Sequence, residues 1–172
     1  MTASEIFEKA TPQCTANIIS FLHDEDRTAY RSVMTYLTSR RKLRPVFLEK
    51  KPKLERHQWM VTALGNKRNE DLALEILQTW VLKTQSEAIL QFLEDLGIEH
   101  DGKGLIETTP PEPAPDLVEK GVTHLLEKYP AEHIAIYLHL FLQMDPEGWI
   151  HLRKLLAELP ALQIPPLPTS LS

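Results

Sequence analysis

Residues 71–97, DLALEILQTWVLKTQSEAILQFLEDLG, and residues 116–142, DLVEKGVTHLLEKYPAEHIAIYLHLFL, decide how this chain is read. Superposed without a gap at an offset of 45, they match identically at Asp71/Asp116, Leu72/Leu117, Lys83/Lys128, Glu87/Glu132, Ile89/Ile134 and Leu93/Leu138. Conservative pairs lie between them: Leu77/Val122, Trp80/Leu125, Phe92/Tyr137 and Leu96/Phe141. Composition alone would give about one or two identities. A helix–turn–helix unit recurring near this period is the signature of stacked helical hairpins, and such arrays bind more often than they catalyse.

The two units carry start signals at the same place. Thr84-Gln85-Ser86-Glu87 reads as a capping box opening the second helix of the first hairpin, with Ile89, Phe92, Leu93 and Leu96 as its apolar stripe. In the second copy Asp116-Leu117-Val118-Glu119 is box-like, and Pro130 stands where Gln85 stood. Asn69 is the expected cap of the first helix. Asp145 and Pro146 are the expected cap and first residue of a closing helix stopped by Pro160. Between the hairpins, the turn Asp101–Gly104 allows at most a small β-hairpin over 97–107. The four prolines of Thr108–Pro115 then impose an extended strap.

Upstream, Thr2-Ala3-Ser4-Glu5 is a capping box. Tyr30, Val33, Met34 and Leu37 have helical spacing within a long helix expected over Asp24–Leu43, which Pro45 ends. Residues 44–52 read as extended. Pro52 opens a further helix to about Leu64, with Gly65 as a left-handed terminator. The fold expected is all-α, with about eight or nine short helices in repeat-like hairpin packing. It divides into 1–68 with a basic loop, 69–159 as two hairpins plus a closing helix, and a Pro-rich tail, 160–172, within one compact domain.

The 172 residues carry a net charge of −5, distributed unevenly: residues 1–70 hold a balance of +5 and residues 71–172 a balance of −10. Opposite signs can steer partners or favour head-to-tail self-association. One cysteine, Cys14, cannot form an internal disulfide and reads as a small buried thiol. With no signal-like segment and no membrane-length apolar run, a cytoplasmic protein without a membrane partner is the expectation.

The sharpest surface feature is Arg40–Arg56. Arg40, Arg41, Lys42, Arg44, Lys50, Lys51, Lys53 and Arg56 face only Glu49 and Glu55, with Phe47 among them. Such a segment can clamp phosphates while Phe47 stacks on a base. Equally, Arg40–Lys42 can complement a helix C-terminus while Val46, Phe47 and Leu48 anchor the loop in the core. The run Ile134–Met144 is either a central buried helix or a docking helix with Ile136, Leu140 and Met144 outward. Glu147 and His151, four apart, read as a surface pair, and Pro165–Pro168 resembles a polyproline ligand or a tail folded back over the helices.

No histidine pair, glycine loop or nucleophile helper has the spacing that catalysis, a cofactor or a metal site needs, so no catalytic, cofactor or metal residues are assigned. The expected function is a non-catalytic helical interaction module, an adaptor or assembly subunit. It would bind a protein partner or itself through the basic loop, the strap or the Ile134–Met144 helix. The alternative is a nucleic-acid-associated regulator gripping phosphates through residues 40–56.

Overall fold

The computed structural model describes residues 1–104, 106 and 108–168. Among them are ten α-helices, two 3-10 turns and no strand. Leu105 and Glu107 of the expected hairpin segment, and Thr169–Ser172 of the tail, lie outside the described residues. The chain is thus all-α. It forms two compact units that divide between Trp80 and Val81.

The first unit contains α1 (Ala3–Lys9), α2 (Pro12–Glu25), α3 (Arg27–Arg40), α4 (Pro45–Glu49), α5 (Lys53–Leu64) and the start of α6 (Glu70–Thr84). The expected capping box opens α1: Thr2 Oγ1 accepts from Glu5 N–H, and the Glu5 carboxylate accepts from Thr2 N–H. The next two donors go to a residue far along the chain. Glu70 accepts from Ala3 N–H at 2.7 Å and from Ser4 N–H at 2.9 Å. Burial opposes ionisation of Glu70, but hydrogen bonds from the Ser4 hydroxyl, from these two main-chain donors and from the Thr2 side chain together outweigh it and hold its pKa below the usual carboxylate range. The N-terminal turn of α1 therefore leaves no donor to water.

The expected Asp24–Leu43 helix is α3, with its first two residues belonging to the end of α2. Asp26 leaves helical geometry because its carboxylate caps Ala29 N–H at 2.9 Å, starting α3 afresh. Leu43 N–H and Lys42 N–H then return to the carbonyls of Thr38 and Ser39, and Lys42 takes the left-handed conformation at φ 55°. That closure ends α3, before Pro45 is reached. Pro45 is in fact the first residue of a helix, so the stretch expected to be extended contains α4. Gly65 is right-handed at φ −66°, and the chain passes through the 3-10 turn Lys67–Asn69 into α6. Asn69 lies within that turn, and its amide donates to Ala63 O.

The second unit contains the end of α6, then α7 (Ser86–Asp95), α8 (Pro115–Lys128), α9 (Ala131–Gln143) and α10 (Ile150–Glu158). Gly97, at φ 66°, terminates α7 in the way expected of Gly65. α7 packs on α8 where Gly121 leaves room: a Cβ there would lie 3.4 Å from the Phe92 ring. Phe92, Tyr137, Phe141 and Trp149 form an edge-to-face aromatic chain, closest between Phe141 and Trp149 at 4.7 Å. Burial drives the Tyr137 phenol well above its ordinary pKa.

Three of the expected caps are corrected. The N-cap residues of α7, Gln85, and of α8, Ala114 ahead of Pro115, make no side-chain cap. Nor do Asp145 and Pro146 start the closing helix. Asp145 closes a tight turn by accepting from Gly148 N–H, Trp149 turns left-handed, and α10 begins at Ile150. Its first donors are taken by the strap, where Glu112 accepts from His151 and Leu152 N–H at 3.1 and 2.8 Å. Trp149 Nε1–H donates to Pro110 O at 3.0 Å. Arg153 gathers the carbonyls of Leu142, Asp145 and Gly148. The strap is therefore pinned to α10. The tail's Leu162 and Ile164 are buried, whereas Leu167 is exposed.

Candidate functional site

The basic segment occupies the end of α3, all of α4 and the start of α5, and the structure spreads its cations among different tasks. Arg40 donates from Nη2 and Nε to the Tyr36 hydroxyl at 2.6 and 3.0 Å. Arg41 sits 5.7 Å from the centre of the Trp59 ring. Lys51 lies 5.4 Å from the Phe47 ring centre and 3.7 Å from Glu55, and Lys53 lies 3.8 Å from Asp24. Exposed pairs of this kind contribute about 0–1 kcal/mol and leave the cation open to a partner. Lys42, Arg44 and Lys50 are exposed and enter no ion pair among the described residues. Arg56 is half-buried, and its Nη1 donates to Glu49 O at 3.4 Å.

The loop-anchor expectation holds for Leu48 alone, which is completely buried. Val46 and Phe47 are 48% and 50% exposed, and Leu54, in the first turn of α5, is 67% exposed. Helical geometry explains the split. Within α4 only one apolar side chain can face α3, and Leu48 takes that position. Three exposed apolar side chains thus fall within nine residues, among Arg44, Lys50, Lys51 and Lys53. Pro45 at a first helical position is the sequence signal for this arrangement, whereas nothing local marks Leu54.

The docking expectation for Ile136 and Leu140 is corrected. Both are buried, at 0% and 7% exposure, so α9 is the central buried helix and only Met144 at its end is exposed. His151 pairs with Glu119 at 3.0 Å rather than with Glu147. Cys14 is buried. Among the described residues, no group of three or more His, Cys, Asp and Glu side chains is placed to hold a metal ion, and no helix is long and apolar enough to cross a membrane.

Rings from α2, α3 and α5 stack edge to face: His23 on Tyr30 at 5.0 Å, and His57 on both at 5.7 Å. His23 Nδ1 lies 2.5 Å from Asp24 Oδ1. Burial, then the charges of Lys53, His23 and Arg56, push the pKa of His57 down to about 4 against the opposing pull of Asp24. The folded protein thus resists protonating a group that the unfolded chain protonates near 6.5. Its contribution is full above about pH 6.5 and is lost as pH falls from there toward 4, by about 1–2 kcal/mol after solvent screening. Urea unfolding at pH 7.5 and pH 5 is expected to show this loss, and His57→Leu is expected to reduce it. An equal loss in both proteins would rule out His57 as its source.

Comparison of the chain with protein-family models, curated proteins and solved structures finds no match.

Proposed function

We propose that this protein is a non-catalytic helical interaction module of the cell interior, an adaptor or assembly subunit. Its docking surface is the α4–α5 elbow, and its partner presents an acidic segment with apolar side chains. The observation that carries this reading is the exposure of Val46, Phe47 and Leu54 amid Arg44, Lys50, Lys51 and Lys53. Apolar side chains supply affinity and surrounding charges supply steering and selectivity, so the complement is anionic and apolar together. A second copy of the chain would offer acidic surface, but head-to-tail contacts of unlike patches tend to run on into open assemblies.

Supporting the modular architecture, α6 and α8 begin at Glu70 and Pro115, and α7 and α9 at Ser86 and Ala131. Both spacings equal the 45-residue offset of the sequence match. A lone buried thiol suits a reducing compartment.

The nucleic-acid reading keeps one specific support: the half-exposed Phe47 ring with Lys51 against it, a pairing suited to base stacking beside phosphate. Fluorescence anisotropy separates the two. A labelled acidic amphipathic peptide and a labelled single-stranded oligonucleotide are titrated at two salt concentrations. The module predicts peptide binding that persists in the higher salt and weaker oligonucleotide binding. Oligonucleotide binding that falls steeply with salt, with no peptide binding, would replace this reading by the second. Self-association would appear as a concentration-dependent mass in light scattering.

A further inference from the structure

Four helix ends of the first unit meet around a cavity of about 210 Å³. His23 comes from the end of α2, Glu49 from the end of α4 and Arg56 from the first turns of α5. Arg27, Tyr30 and Arg31 come from α3, where spacings of three and four residues place them on one face. Three guanidiniums therefore surround the space against a single carboxylate. No ion pair joins Arg27, Arg31 or Arg56 to a carboxylate among the described residues, since Arg56 reaches the main-chain oxygen of Glu49 instead.

The wall of this cavity also holds a buried phenol beside a guanidinium. Tyr30 is only 5% exposed. Here the Tyr30 phenol and the Arg56 guanidinium face each other beside a space bordered by excess positive charge. An anion in that space would balance the charge.

We propose that the cavity formed by Arg27, Tyr30, Arg31 and Arg56 is a binding site for a phosphate group carried on a phosphomonoester. The permanent charges of its lining leave an excess of two positive over negative, which suits a dianion. Donors arriving from α3 and α5 address a tetrahedral set of oxygens, and arginine forks pair well with phosphate. The size agrees. Cavities that enclose whole drug-sized ligands or cofactors run to about 300–1,000 Å³, whereas this one has room for roughly seven waters, enough for the anionic head of a larger molecule. The site does not depend on the docking of an apolar segment at α4, because Val46, Phe47 and Leu54 take no part in it.

Thermal unfolding and calorimetric titration test the proposal on the full chain. Inorganic phosphate and O-phosphoserine are titrated against potassium chloride at matched ionic strength. Saturable binding of phosphate that raises the unfolding temperature above the chloride control is expected. Arg27 and Arg31 are exposed on α3, so Arg27→Ala and Arg31→Ala are expected to fold normally and to weaken binding roughly tenfold each. Equal temperature rises in phosphate and chloride, or unaltered titrations of the folded arginine variants, would overturn the site. A phosphoserine peptide binding more tightly than O-phosphoserine identifies a phosphorylated protein as the source. The reverse order identifies a small phosphomonoester.

Discussion

Trp149→Ala is expected to destabilise the second unit by about 3–5 kcal/mol, the range for removing a large buried aromatic whose site cannot collapse. Trp149 is 2% exposed, and its ring meets Phe141 edge to face at 4.7 Å. Its indole N–H also ties the strap to α10 through Pro110 O. Alanine would forfeit the packing, the aromatic contact and the hydrogen bond together, leaving a cavity beside α9. The left-handed backbone at residue 149 disfavours alanine as it disfavours tryptophan, so backbone strain should cancel to first order. Trp149→Phe separates the contributions: it retains most of the ring contact and loses the N–H, at an expected cost of about 1–2 kcal/mol. Urea unfolding measures both. A loss below about 1 kcal/mol for the alanine variant would show that the indole is not a keystone of this core.

That keystone shows which parts of the molecule are legible locally. The Thr2 box, the apolar spacing of Tyr30, Val33, Met34 and Leu37, and the helices on either side of the strap follow from periodicity and from chemistry within one turn. The anchors that lock the elements in place do not. Glu70 capping α1 acts across 66 and 67 residues, and Glu112 capping α10 acts across 39 and 40. A carboxylate at such a separation looks like any solvated charge until the chain is folded.

Some local signals pointed two ways. Pro45 forbids helical geometry before it but favours a helix start at itself, and the second effect made α4. Asp26 interrupts an apolar period because its side chain offers the backbone a cap. At the site, the cations of 40–56 were visible as a charge run. The cavity was not, since Tyr30 and Met34 look like ordinary core positions and Arg27 and Arg31 lie upstream of the run.

Phe47→Asp, alone or with Leu54→Asp, is expected to reduce affinity for an acidic apolar segment by at least about a hundredfold, or roughly 3 kcal/mol. It replaces a contact with repulsion of the partner's own charge. Stability should change little, because both side chains are at least half exposed and neither supports the core. Leu48→Asp is the contrast: one residue further along α4, completely buried, it should unfold the first unit by burying an unpaired carboxylate. Reversing Lys50 and Lys53 to glutamate should cost about tenfold, mostly in association rate, and should flatten the salt dependence. The ratio of the two effects is diagnostic. If charge reversal abolishes binding while the Phe47→Asp variant binds as before, affinity resides in phosphate-like contacts, and the elbow is an electrostatic surface. If Phe47→Asp dominates, the exposed ring is the anchor and the cations select which segments reach it.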